Sequence, residues 1–93
     1  MPVGFEWDPP KAASNATKRA VSFEEAMRAF ADPLARIFGD PDHSAAEHRE
    51  ILVGHSASLR LLVVGLVEHE SGVRIFSARA ATSRERRDHE ASQ

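Results

Sequence analysis

Four arginines in the second half of the sequence have the chemistry needed to bind phosphate. Arg74 and Arg79 bracket the segment Arg-Ile-Phe-Ser-Ala-Arg, and Arg60 and Arg49 lie in the two apolar segments before it. The planar guanidinium of arginine presents a fork of N–H donors that matches phosphate oxygens. If these segments are neighbouring antiparallel strands, the arginines converge on one patch. Such a patch would bind an RNA backbone and stabilise the charge that builds up on a reacting phosphate.

The overall charge argues against this interpretation. The 93 residues contain 12 Lys and Arg against 14 Asp and Glu, a net charge of -2, whereas nucleic-acid binders usually carry a basic face. The charges are unevenly distributed, however. Residues 24–50 contain seven acids and three bases, and residues 74–87 contain five arginines and one acid. The alternative to a phosphate site is a solvated sheet face whose arginines form partial ion pairs with Glu47, Glu50 and Glu68.

Other side chains offer weaker chemical signals. Trp7, the single tryptophan, either stacks on a base or anchors the core. His43, Glu47 and His48 form a His-x-x-x-Glu-His sequence, which misses both zinc-binding patterns by one residue. The chain has no cysteine, which excludes thiolate ligands and disulfides. We therefore expect no metal and no cofactor.

Helix-start signals and apolar runs predict the order β-α-α-β-β-β-β-α. Asp8-Pro9-Pro10 begins the first helix, and Ser22 with Glu25 forms a capping box for the second. Asp32-Pro33 ends the second helix, because the residue before proline resists the helical conformation. The predicted elements are strand 3–7, helices 9–19 and 22–31, strands 34–38, 47–55, 60–68 and 73–78, and a helix from a second capping box at Thr82 to about residue 89.

This order predicts one α+β domain over residues 1–93, with an antiparallel sheet and helices packed on one face. The expected core residues are Phe23, Met27, Phe30, Leu62, Val64 and Ile75. The longest apolar run, residues 61–67, is about a third of a membrane span. A small cysteine-free chain without a cleavable leader is most simply cytoplasmic.

An ordered set of short motifs resembles one protein family over nearly the whole chain. The motifs are Phe5-Glu6-Trp7-Asp8; Val21-Ser22-Phe23-Glu24-Glu25-Ala26; Phe30-Ala31-Asp32-Pro33; Arg60-Leu61-Leu62-Val63-Val64; and Arg74-Ile75-Phe76-Ser77-Ala78-Arg79. No single motif is specific, but the set is similar to the BrnT family of toxins from type II toxin–antitoxin modules.

The resemblance implies a RelE-like fold and a ribonuclease that inhibits translation. It also implies a BrnA-like antitoxin with a ribbon-helix-helix domain, through which the complex contacts DNA and represses its own promoter. Such a ribonuclease needs no metal, because the ribose 2′-oxygen attacks the adjacent phosphate. On this basis the candidate catalytic residues are Glu47, Arg49, Arg60, His69, Arg74 and Arg79, with Glu47 as base and His69 as acid. Trp7 and Lys11 are candidate RNA contacts.

The chain departs from the family at four positions. Arg19 and Ala20 replace a histidine and a glycine, Leu66 replaces a polar ring, and His89 replaces a tyrosine. These departures leave a second hypothesis open, in which the protein is a catalytically impaired, antitoxin-binding subunit of a repressor complex.

Overall fold

The structure, a computed structural model, describes residues 4–39 and 48–92 and has an α+β architecture. The predicted element order is confirmed. The elements are β1 (Gly4–Glu6), α1 (Pro9–Arg19), α2 (Phe23–Ala29), β2 (Arg36–Gly39), β3 (Arg49–His55), β4 (Leu61–His69), β5 (Gly72–Ala80) and α3 (Ser83–Ala91). The predicted turn at 40–44 and the candidate base Glu47 lie outside the described residues.

The three helices begin with three different arrangements at their N-termini. Thr82 and Glu85 complete the predicted capping box, with each side chain bound to the other residue's backbone N–H. Ser22 accepts the N–H of Glu25 at 3.0 Å, but the Glu25 carboxylate is bound elsewhere and does not return the bond. Asp8 makes no side-chain cap, so α1 depends on prolines at its first positions, where a missing N–H costs nothing.

The five strands form one sheet in the order β1-β5-β4-β3-β2. The predicted antiparallel meander is present from β2 to β5. The first strand instead joins the edge of β5 in parallel, pairing Gly4 with Gly72 and Glu6 with Arg74. Hairpin spacing reports only on consecutive strands, so it does not predict this pairing between the first strand and the last.

Helices α1 and α2 cover one face of the sheet, which we call the helix face. Buried side chains there include Phe23 of α2, Leu52 of β3 and Ile75 of β5. Of the predicted core, Phe23, Leu62, Val64 and Ile75 are fully buried, and Met27 and Phe30 are partly buried against them. No helix within the described residues has the length and apolarity needed to cross a membrane.

The third helix packs differently from the prediction that all helices share one face. Its Glu85 binds Arg79, and its His89 ring lies 5.6 Å from the ring of His55. On β5, Arg79 follows the core residue Ala78, and on β3, His55 is three positions from the core residue Leu52. Because side chains alternate along a strand, both point away from the helix face. Helix α3 therefore covers one end of the opposite face, which we call the open face.

Helix α1 ends at a residue that carries backbone strain. Ala20 has φ 58° and ψ 31°, the left-handed conformation, and its N–H bonds to the Ala16 carbonyl. Its own carbonyl accepts a hydrogen bond from Arg60 at 3.0 Å. Glycine adopts this conformation without a Cβ penalty and is the usual residue there. The replacement of glycine inferred from the sequence therefore falls at a position that favours glycine.

We expect Ala20→Gly to stabilise the protein by about 1 kcal/mol, because relief of the left-handed strain exceeds the added entropy of the unfolded chain. Urea unfolding followed by circular dichroism measures this change. The matched control is Ala13→Gly in the exposed middle of the same helix, which should destabilise by about 1 kcal/mol. Equal losses for both variants would contradict the assignment of strain to Ala20.

Candidate functional site

Three of the four arginines that the sequence nominated lie on the open face. Arg49 on β3 and Arg74 on β5 each pair with Val67 of the intervening strand β4, and paired residues point to the same side of a sheet. Arg79 pairs with Val63, which is four residues from Val67 and therefore shares its face. The sheet thus brings Arg49, Arg74 and Arg79 together on one surface.

A β-bulge in β5 is the reason that Arg74 and Arg79 share this surface. They are five positions apart in the sequence, so regular alternation would place them on opposite faces. Ile75 pairs with Leu66 and Ser77 pairs with Gly65, so Phe76 is an extra residue on β5. One extra residue shifts the alternation by one position, and the second arginine returns to the side of the first.

The bulge also positions a ring beneath Arg49. The Arg49 guanidinium carbon lies 4.7 Å from the centroid of the Phe76 ring, which is cation–π geometry. A Cβ at Gly65 would come within 2.5 Å of the Ser77 hydroxyl and 2.7 Å of the Phe76 ring. A side chain at Gly65 would force these two residues of β5 to shift, which favours glycine opposite the bulge.

Arg79 is held by helix α3. Its Nη1 and Nη2 donate to the two carboxylate oxygens of Glu85 at 2.7 and 2.9 Å. This bidentate pair, helped by the backbone N–H of Thr82, lowers the pKa of Glu85 to about 2. The same hydrogen bonds raise the pKa of Arg79. Arg79 is therefore a fixed cation, positioned by the capping box that begins α3.

A pocket of about 270 Å³ opens on this face between α1 and β5. Its floor is apolar and includes Ile51, Val63 and Phe76, and its rim carries Arg79 and Arg19. Sequence reasoning treated Arg19 only as a departure from the family pattern and did not place it at the site. The available signal was its spacing of four residues from Asn15, which puts both on one side of α1.

Asn15 attaches the end of α1 to β5. Its amide nitrogen donates to the carbonyls of Val21 and Ala78, both at 2.9 Å, and its amide oxygen accepts the N–H of Ala78 at 3.2 Å. The side chain thus satisfies both backbone groups of Ala78, as a neighbouring strand would. This clamp sets the position of Arg19 relative to Arg79.

The two predicted RNA contacts have different surroundings. Lys11 is exposed on α1 and lines a cleft of about 230 Å³ with Asp8, Arg74 and Phe76. Trp7 packs edge-to-face on Phe23 at 6.0 Å and belongs to the margin of the core. Of the two alternatives for Trp7, the core contact is the one observed.

Arg60, the fourth arginine, lies on the helix side of the sheet and away from the other three. Its Nε and Nη2 donate to the Glu25 carboxylate at 3.0 and 2.5 Å, and Nη2 also reaches the Ala20 carbonyl. Glu25 accepts further bonds from Ser56 and Ser58, and these bonds together lower its pKa. This network links α1, α2 and the start of β4, so Arg60 contributes to packing between these elements.

Groups able to transfer protons lie around the arginines rather than between them. His69 is exposed at the end of β4 and shares the face of Val67, so it lies beyond Arg74 on the open face. Glu50 points to the helix face, where burial and the neighbouring Glu68 carboxylate raise its pKa. Within residues 4–39 and 48–92, no group of three or more His, Asp or Glu is arranged to hold a metal ion.

Comparisons with known proteins identify one family. The family described as "Ribonuclease toxin, BrnT, of type II toxin-antitoxin system" matches residues 7–85. The chain is also similar to the 1.1 Å crystal structure of the Brucella abortus ribonuclease toxin BrnT, with a TM-score of 0.69 and 21% sequence identity over 88% of this chain and 100% of that one. No curated protein matches the chain.

We expect Glu85→Gln to destabilise the protein by about 0.5–1 kcal/mol near neutral pH, since the Arg79 pair is partly exposed. Glutamine preserves the capping box and removes only the charge. The folded-state pKa is depressed, so the contribution of Glu85 is complete above its ordinary pKa of 4.5 and is lost as the pH falls to about 2. The difference between wild type and variant should shrink over that interval.

Urea unfolding at a series of pH values measures this difference. The matched control is Glu90→Gln, an exposed carboxylate on the same helix, for which we expect little change at any pH. A stability difference for Glu85→Gln that stays constant down to about pH 2 would contradict the role of the ion pair.

Proposed function

The chain belongs to the BrnT family of ribonuclease toxins from type II toxin–antitoxin systems, and from that membership we propose that it is a metal-independent endoribonuclease whose active site is the open face. The observation that carries this proposal is the convergence of Arg49, Arg74 and Arg79 on that face. Fixed cations in a preformed arrangement stabilise the charge that develops on a phosphate during transfer.

In the proposed reaction, the ribose 2′-oxygen attacks the adjacent phosphorus and the bond to the 5′-oxygen breaks. A base takes the proton of the 2′-hydroxyl, and an acid gives a proton to the departing 5′-oxygen. The products are a 2′,3′-cyclic phosphate and a 5′-hydroxyl. Arg49 and Arg74 bind the scissile phosphate and neutralise its added charge, and Arg79 binds a neighbouring phosphate.

We assign the acid role to His69, because it lies on the same face as Arg74 and histidine is the side chain that most often serves as a general acid. Glu47 is the proposed base, two residues before Arg49 in the sequence. Lys11, beside Arg74, supplies a further contact to the RNA backbone. Arg60 and Trp7 remain candidates from the sequence, but the contacts of Arg60 with Glu25 and of Trp7 with Phe23 favour structural roles for both.

The proposed partner is a BrnA-like antitoxin with a ribbon-helix-helix domain, which neutralises the toxin and through which the complex binds its promoter DNA. The toxin acts on cytoplasmic RNA and so inhibits translation. Of the departures from the family, Leu66 does not bear on the site, because its side chain is 1% exposed and faces the helix layer.

We expect Arg49→Ala and Arg74→Ala each to lower the rate of RNA cleavage by about 10²–10³-fold, because each removes a donor to the reacting phosphate. Cleavage of end-labelled RNA by the purified protein in EDTA measures the rate and the metal independence together. Arg87→Ala, on the exposed face of α3, is the matched control and should cleave as fast as wild type.

Thermal melts of each variant establish that it remains folded. Undiminished cleavage by a folded Arg49→Ala, Arg74→Ala double variant would overturn the site assignment. Complete loss of wild-type cleavage in EDTA, with recovery on adding Mg²⁺, would overturn metal independence.

We expect expression of the chain alone to arrest bacterial growth, and co-expression with a ribbon-helix-helix antitoxin to restore it. The readouts are the growth curve and the integrity of cellular RNA. The Arg49→Ala, Arg74→Ala double variant should still bind the antitoxin but should not arrest growth. Normal growth and intact RNA with the folded wild-type toxin alone would favour the catalytically impaired subunit.

A further inference from the structure

The pocket between α1 and β5 combines an apolar floor with two cations at its rim. Ile51, Val63 and the Phe76 ring form the floor. Arg19 and Arg79 stand at the rim on α1 and β5. The volume of about 270 Å³ lies near the lower end for small-ligand sites, which span about 300–1,000 Å³. Such a site suits a ligand with one flat apolar part and one anionic group.

The two cations differ in their availability. Arg79 gives two of its N–H groups to Glu85, and Nη1 also approaches the Ala80 carbonyl at 3.4 Å. A guanidinium has five N–H donors, so donors remain for a ligand. Arg19 is exposed and makes no hydrogen bond or ion pair to any residue in the described part of the chain. Its donors are therefore available to an anion in the pocket.

Contacts on both sides of Arg19 fix its backbone position. The Asn15 clamp ties its helix turn to Ala78 of β5, and the left-handed Ala20 ends the helix directly after it. A cation at the last turn also suits the negative end of the helix dipole. Arg19 and Arg79 are thereby presented from two elements that the clamp joins.

We propose that this pocket binds one unpaired nucleotide of single-stranded RNA, with its base on the floor formed by Ile51, Val63 and Phe76 and its phosphate held by Arg19 and Arg79. The inference rests on the proposed function and adds a substrate class to it. A base within a duplex cannot enter, because stacking and pairing occupy its faces and edges. The protein therefore selects single-stranded regions of its target.

The test uses a fluorescently labelled 2′-O-methyl RNA hexanucleotide, which lacks the attacking 2′-hydroxyl and cannot be cleaved. We expect Arg19→Ala to weaken its binding by about tenfold and to lower the slope of log K against log salt by about 0.7, the value for one phosphate contact on a single strand. The matched control is Lys18→Ala, an exposed cation of the same helix turn that does not line the pocket. It should change binding by less than about twofold.

Two further variants separate the phosphate contact from the base contact. Arg19→His should bind as Arg19→Ala does well above about pH 6.5 and should approach wild type below it, because only the protonated imidazole replaces the cation. Val63→Thr adds a hydroxyl to the floor with little change of shape. It should weaken binding and leave the salt slope unchanged.

Equal binding by the Arg19→Ala and Lys18→Ala variants, or equal affinity for the hexanucleotide and for its duplex, would overturn this proposal. The probe reports binding without cleavage, so the two proposals fail separately. If the protein cleaves RNA but binds the probe independently of Arg19, the proposed function stands and the proposal of a nucleotide pocket is wrong. If the protein binds the probe through Arg19 but cleaves no RNA, the proposal of a nucleotide pocket stands and the proposed ribonuclease activity is wrong.

Discussion

The extra residue in β5 is the constraint on which the arrangement of the open face depends. Without the bulge at Phe76, the alternation of side chains would send Arg74 and Arg79 to opposite faces. The same bulge allows Ile75 and Ala78, three residues apart, to face the helix layer together. One change in strand register thus places the apolar residues of β5 in the core and its two arginines on the open face. Glycine at position 65 fits this arrangement, since a Cβ there would force the Ser77 hydroxyl and the Phe76 ring to shift.

Local signals explain why so much of the fold could be predicted. The prolines at the start of α1 and the capping residues Ser22 and Thr82 act within a few residues, so their effect is visible in the sequence. Features that depend on distant partners could not be predicted in this way. The parallel pairing of β1 with β5, the covering of the open face by α3 and the bulge all follow from tertiary packing.

The arginines show how the same side chain takes two roles. Arg60 and Arg79 each form a close ion pair with a glutamate, and neither role can be recognised from composition. Arg60 donates to acceptors from two elements, the Glu25 carboxylate of α2 and the Ala20 carbonyl at the end of α1, and its charge is used within the fold. Arg79 is paired on one side only and borders a pocket, so part of its donor capacity faces outward. The difference lies in the elements around each guanidinium rather than in the pair itself.

The acidic and basic side chains of the chain lie in different parts of the fold. Glu25 and Asp32, from the acidic middle of the chain, are used internally by Arg60 and His55, and both have a lowered pKa. Arg49 and Arg74 lie on the open face, and the net charge of -2 gives the whole molecule little long-range attraction for RNA. The proposed affinity for RNA would therefore come from short-range contacts at a few arginines and from the apolar floor beside them. Under the proposed function, the protein would bind nucleic acid by fit at one site rather than by general attraction to the phosphate backbone.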